Sequence, residues 1–237
     1  MSELALGVFG GTFNPVHYGH LRSAVEVRET LGLSRILMVP AAQPPLREQP
    51  SVSAAFRAEL VERALAGEPG LECDRRELER EGPSYTYDTL KELRQEHGAA
   101  TPLILIVGAD ALDKLQQWYR WQDLLALGHL AVLTRPGWVL PADGAIGEWL
   151  QSHRGDAAGL RSQPAGQVLP LSLRQLPVSA TEIRSLIAEG RSPRYLLPDS
   201  VWRAIQERGA YGAASSASTS SPLSRSASLT QENHGVR

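Results

Sequence analysis

Apolar and polar positions along this chain follow two periods that take turns. A small-and-apolar run, Leu4–Phe9, ends at Gly10-Gly11, and an amphipathic stretch with helical spacing, Gly19–Leu33, follows it. The pairing repeats: Arg35–Val39 leads to Ser53–Ala66, Leu71–Leu78 to Tyr87–His97, and Leu103–Val107 to Ala109–Trp118. Two further apolar runs, Leu130–Leu133 and Val168–Leu173, and two further helical ones, Ala180–Ala188 and Asp199–Arg208, complete the pattern. Strands alternating with helices across short turns predict a parallel sheet with right-handed crossovers. The expected fold is α/β: a doubly wound, mainly parallel sheet with Rossmann-like nucleotide-binding topology. Ligands of such sheets bind at the carboxyl ends of the strands, near the topological switch point. The turns Gly10-Gly11, Gly108-Ala109-Asp110 and Arg135-Pro136-Gly137 fall at such ends.

Two stretches depart from the pattern. Gly137 to Gln167 has scattered Gly and Pro and reads as a surface excursion, with a short helical candidate around Ile146–His153. From about Ala213 the chain turns to Ser, Ala and Thr with few apolar anchors, a composition that predicts disorder. One domain over residues 1–212 and a Ser-rich tail over 213–237 are expected.

Composition narrows the chemistry. The chain has 237 residues, 42% hydrophobic and 21% charged, with a net charge of −2, which gives no support for a nucleic-acid partner. Lys91 and Lys114 are the only lysines, so an anion site must draw on Arg, His, backbone N–H groups or a metal. No Gly-Lys-Ser/Thr occurs, which excludes a Walker-type nucleotide hydrolase. The lone Cys73 excludes an intrachain disulfide and reads as a small buried residue in a strand. No apolar run approaches the length of a membrane span, and Met1 to Gly7 carries no basic n-region. No membrane partner and a reducing, cytoplasmic setting are the expectation. The sequence leaves room for a homo-oligomer without specifying one.

The densest chemistry lies in Gly7-Val-Phe-Gly-Gly-Thr-Phe-Asn-Pro-Val-His-Tyr-Gly-His20. The strand breaks at a glycine pair that permits a tight turn and close ligand approach. Asn14-Pro15 turns the chain again, and His17 and His20 stand three apart at the start of a helix. That spacing sets both imidazoles on one face, beside the unpaired N–H groups of the helix start. Such a place attracts phosphate. A second candidate is Ser179-Ala-Thr-Glu-Ile-Arg184, where Thr181 and Arg184 rise from one helix start. Ser-x-x-Glu is also a capping box, so Ser179 has a purely structural reading beside the functional one.

Gly10-Gly11-Thr12-Phe13-x-Pro15-x-His17-x-Gly19-His20, coupled to Ser179-x-Thr181-x-x-Arg184, resembles the nucleotidyltransferase superfamily with an HxGH signature. More closely, the chain is similar to bacterial nicotinate-nucleotide adenylyltransferases. Ser84-Tyr-Thr-Tyr-Asp-Thr-Leu90, Gly108-Ala-Asp110, Trp118-Tyr119 and Arg135-Pro-Gly137 follow that family's order. The resemblance covers nearly everything from Leu4 to Tyr211. It implies that ATP and nicotinate mononucleotide give deamido-NAD and pyrophosphate, with Mg²⁺ accompanying the ATP and no protein-held metal. Gly10, Gly11, Thr12, Phe13, Gly108, Asp110, Arg135, Ser179 and Thr181 are then expected to bind ATP. Catalysis would fall to His17, His20 and Arg184, with the histidines on the α-phosphate.

The same resemblance assigns Arg47, Ser84, Tyr85, Thr86, Trp118 and Tyr119 to the mononucleotide. Thr86 and the N–H groups beside it suit a carboxylate, and Trp118 offers a face for a pyridine ring, whereas Thr89 and Leu90 read as core. Asn14 stands where many relatives carry Asp, and Pro44-Pro45-Leu46-Arg47 ends without the His or Lys often found there. Pantetheine-phosphate and nicotinamide-mononucleotide adenylyltransferases are the rival enzymes, and a non-catalytic nucleotide sensor is the rival of another class.

Overall fold

The structure, a computed structural model, describes residues 5–46, 48–134, 139–174 and 176–214. Its strands are β1 (Leu6–Gly11), β2 (Arg35–Pro40), β3 (Leu71–Cys73), β4 (Leu103–Gly108), β5 (His129–Thr134) and β6 (Val168–Ser172). They form one six-stranded sheet in the order β3-β2-β1-β4-β5-β6, and every pairing is parallel. This is the doubly wound arrangement, with the order reversing between β1 and β4.

Both faces of the sheet are covered, as the continuous apolar runs require. Period two sorts β4: Ile104 and Ile106 join one core cluster, while Leu103, Leu105 and Val107 join the other. The first cluster lies under α1 (Tyr18–Leu31), α2 (Ala54–Leu65), α9 (Ala180–Ala188) and α10 (Asp199–Glu207). The second lies under α4 (Thr86–His97), α6 (Leu124–Leu127) and α7 (Gly144–Ser152). Boundaries follow local chemistry: Ser53 caps α2 by accepting the Phe56 N–H at 3.2 Å, and Gly32 ends α1 in the left-handed region at φ 61°.

Three expectations need correction. The run Leu71–Leu78 is a strand only as far as Cys73; Asp74 then accepts the Arg76 N–H at 2.9 Å and pairs with its guanidinium at 2.6 Å, turning the chain into α3 (Arg76–Glu79). Ala109–Trp118 is not one helix. It is α5 (Ala109–Leu112) followed by a 3₁₀ turn, Leu115–Gln117, which tightens the repeat so that Leu112 and Leu115 are both buried. The excursion after β5 holds both α7 and α8 (Ala157–Ser162), and Leu140, Leu150 and Leu160 are core residues. Its apolar anchors are spaced too widely to register as a period. Among the described residues no helix is long and apolar enough to cross a membrane.

Candidate active site

The site begins where two strands part. β1 pairs with β4 only through Val8↔Leu105, yet stays with β2 as far as Gly11↔Pro40. A crevice therefore opens between the ends of β1 and β4, at the point where the strand order reverses. A Cβ on Gly10 would meet nothing within 4 Å, so protein packing does not demand this glycine; its bare backbone faces the open end of the sheet.

The chain then turns through Phe13, at φ 45°, and the cis peptide Asn14-Pro15. The Phe13 ring is buried, edge-on to Phe9 at 6.1 Å and to His20 at 5.1 Å. His17 is the N-cap of α1, and its N–H donates to His20 Nδ1 at 3.3 Å. With Nδ1 accepting, a neutral His20 carries its proton on Nε2, as a donor. The two imidazoles stack with centroids 3.8 Å apart. The His20 N–H is bonded to the His17 carbonyl at 3.0 Å, and His17 Nδ1 is buried without a partner. His17 is 5% exposed, and burial pushes its pKa down to about 4, so the free protein holds it neutral at pH 7.

The second helix start lies against the first. A Cβ on Gly19 would sit 3.0 Å from the His17 ring and 3.3 Å from the Val178 carbonyl, so Gly19 lets α1 close onto the residue preceding Ser179. Ser179 caps α9, accepting the Glu182 N–H at 3.1 Å, which fulfils its structural reading. Arg184 donates to the Asn14 carbonyl at 2.8 Å and to Thr181 Oγ1 at 3.3 Å. Tyr211 donates its phenol proton to Asn14 Oδ1 at 2.8 Å. Asn14 thus joins the first turn, α9 and the end of the domain. At the end of β4, the exposed Asp110 folds back over Gly108, its Oδ1 2.5 Å from where a Cβ there would lie.

The proposed acceptor residues gather beside α4. Thr86 is the first residue of α4, and its N-cap Tyr85 makes no side-chain cap bond, so first-turn N–H groups stay open. Tyr85 stacks on Tyr119 at 4.6 Å, and Tyr119 is 47% exposed. Trp118 is half-buried against the second core cluster. Ser84 acts as a clasp: its Oγ accepts the N–H groups of Ala42 and Gln43 at 2.9 and 3.1 Å, tying the loop after β2 to the start of α4. Its hydroxyl also serves the buried Glu77, to which Thr89 donates at 2.6 Å; burial still raises the Glu77 pKa. Thr89, read as core, is core with a polar task. Arg47 and Arg135 lie outside the described residues.

Sequence reading missed two parts of this arrangement. Arg57 on α2 donates to the Thr12, Ala41 and Ala42 carbonyls, crossing between the turn after β1 and the loop after β2. The available signal was an arginine three and four residues before Leu60 and Val61, on the apolar stripe of its helix. Tyr211 is the other, an isolated aromatic in a turn with nothing local to mark it.

Comparison with known proteins agrees with this geometry. Residues 8–186 match the cytidylyltransferase-like family model. A protein of Cellvibrio japonicus (strain Ueda107), named probable nicotinate-nucleotide adenylyltransferase, is 48% identical over 204 residues, 86% of this chain and 97% of its own length. A protein of the same name from Dechloromonas aromatica (strain RCB) is 47% identical over 216 residues, 89% of this chain and 99% of its own. In fold, the chain is similar to Plasmodium falciparum nicotinic acid mononucleotide adenylyltransferase complexed with NaAD, with a TM-score of 0.65 at 14% identity, covering 89% of this chain and 98% of that one.

Proposed function

We propose, from the premise that this chain belongs to the nicotinate-nucleotide adenylyltransferases of the cytidylyltransferase-like family, that it transfers the adenylyl group of ATP to nicotinate mononucleotide. The observation that carries the reading is the meeting of two helix starts, α1 and α9, at the crevice beside β1, with His17 and His20 stacked at the start of α1. In α1 the Tyr18 and His20 N–H groups are bonded within the protein, so the donors on offer are the Gly19 N–H, the first-turn N–H groups of α9 at Ala180 and Thr181, and the Arg184 fork. That set suits a polyphosphate better than any neutral ligand.

The mononucleotide phosphate oxygen attacks the α-phosphorus of ATP; the new P–O bond forms as the bond to pyrophosphate breaks, in line. The attacking phosphate is already an anion, so no general base is required. What remains is to position two anions and to stabilise charge on the group in transfer. His20 would donate from Nε2 to the α-phosphate, beside a neutral His17. Ser179, Thr181 and Arg184 would hold the β- and γ-phosphates, with Gly10, Gly11, Thr12 and Phe13 shaping the turn around them. Gly108, Asp110 and Arg135 would take the nucleoside side of ATP. The open N–H groups at Thr86 suit a carboxylate, and the Tyr85–Tyr119 stack, with Trp118 and Ser84 behind it, suits a pyridine ring.

Mg²⁺ would enter as part of the substrate, MgATP. Magnesium bound to a nucleotide is held mainly by substrate phosphates and water. When bound, it would neutralise phosphate charge. A reducing cytoplasmic setting fits the single Cys73, whose thiol burial pushes up to about 12, leaving it unreactive.

The test is pyrophosphate release from ATP with nicotinate mononucleotide, nicotinamide mononucleotide or phosphopantetheine as acceptor. Deamido-NAD as the preferred product is expected. Absence of any dinucleotide would remove the enzyme reading, and faster turnover of either rival acceptor would overturn the substrate. The catalytic unit is residues 1–212, so truncation after Gly212 should leave turnover and melting temperature unchanged; loss of either would give the tail a part in the domain.

A further inference from the structure

Arg57 is the most deeply buried cation among the described residues, at 1% exposure, and the reaction set out above makes no direct use of it. Its setting is unfavourable three times over. Burial lowers its pKa, and no carboxylate offsets this; the Tyr211 phenol near it keeps its proton. It stands in the first turn of α2, near the positive end of the helix dipole, where a cation is disfavoured. The neighbouring Phe56, Leu60 and Val61 are apolar and offer the charge no partner. Its apolar surroundings therefore do not account for an arginine here.

Its bonds do. One terminal nitrogen donates to the Thr12 carbonyl, in the turn after β1; the other donates to Ala41 at 2.6 Å and, more weakly, to Ala42 at 3.5 Å, in the loop after β2. The same loop gives its Ala42 and Gln43 N–H groups to Ser84 at the threshold of α4. A single planar fork thus spans the two segments that carry the ATP turn and the acceptor pocket. We infer that Arg57 is a positioning residue for adenylyl transfer, fixing the turn after β1 and the loop after β2 at one separation so that donor and acceptor phosphates meet in line. This rests on the adenylyl-transfer reading, in which the reacting atoms must approach to about 3–3.5 Å and loops moving independently would lose that geometry. An ammonium lacks the two-pronged plane, so lysine keeps the charge and loses the span.

The experiment compares wild type, Arg57→Lys and Arg57→Met by amide hydrogen exchange and by steady-state kinetics, below the melting temperature of each. Exchange should speed up together in residues 10–16 and 41–46, by at least about tenfold, the scale of one charge-assisted hydrogen bond, while β4 stays protected. Turnover should fall and the KM for both substrates should rise, with lysine restoring only part of the loss. Exchange that quickens in one segment alone, or kinetics unchanged beside a lowered melting temperature, would overturn the linkage. Should the wild type form no dinucleotide, the adenylyl-transfer reading falls by itself, and the exchange data still decide whether Arg57 joins the two segments.

Discussion

His17 ties the stability of the fold to pH in a way that can be worked out from its burial. In the unfolded chain its imidazole titrates near the ordinary 6.5, and in the folded protein burial holds it at about 4. Below pH 6.5 the unfolded state therefore takes up a proton that the folded state refuses. The stabilisation is complete above 6.5, drains away as pH falls from 6.5 to 4, and then levels off. Between pH 7 and pH 5 the loss from this one group is about 2 kcal/mol, rising to about 3.4 kcal/mol below pH 4 at 1.36 kcal/mol per unit. Substituting His17→Asn keeps a polar N-cap and removes the titration. Urea unfolding at pH 7, 6 and 5 should show the variant losing about 2 kcal/mol less than wild type over that range. The His17 ring resonances of the folded wild type should show no midpoint near 6.5. Parallel stability curves, or a folded-state midpoint near 6.5, would refute the desolvation account.

Further outcomes follow from the other contacts. His20→Ala should lower turnover at least about 10²-fold, the scale of one lost transition-state donor, and near-normal turnover would strip His20 of that role. Ser84→Ala leaves the Ala42 and Gln43 N–H groups without their acceptor, so unfolding free energy should fall by about 1–3 kcal/mol and the KM for nicotinate mononucleotide should rise more than that for ATP. An equal rise in both would mean that the clasp does not favour the acceptor side. Tyr211→Phe removes one hydrogen bond to Asn14, worth about 1 kcal/mol, and should raise the KM for ATP through Arg184; an unchanged KM would show that Asn14 holds its place without the phenol.

The parallel sheet could be read from the sequence because buried strands announce themselves as apolar runs punctuated by glycine, and β1, β2, β4, β5 and β6 each have a glycine at or within three residues of one end. The long helices α1, α2, α4 and α9 were legible for the matching reason, a stripe at helical spacing, and α9 matches its expected bounds, Ala180–Ala188. Short pieces were not. α3 forms because one aspartate captures a backbone N–H, and α8 because Asp156 caps it at the Gly159 N–H and Leu160 is buried in the core. Neither leaves a period long enough to detect. Within the site, His17, His20, Thr181 and Arg184 could be named because they sit on local spacings. Arg57 and Tyr211 could not, because each acts across the fold on backbone or side-chain atoms far away in sequence.

The Tyr211 bond to Asn14 spans 197 positions. The turn after β1 and the phenol that braces it thus lie at opposite ends of the domain's sequence. A polypeptide that stops short of Tyr211 contains β1, its glycine turn and both histidines, yet Asn14 then lacks the partner that steadies it beneath Arg184. The carboxyl end of the domain thereby adds about 1 kcal/mol to the order of that turn, the worth of one hydrogen bond. A fragment ending before Tyr211 would carry the signature residues on a less firmly held turn.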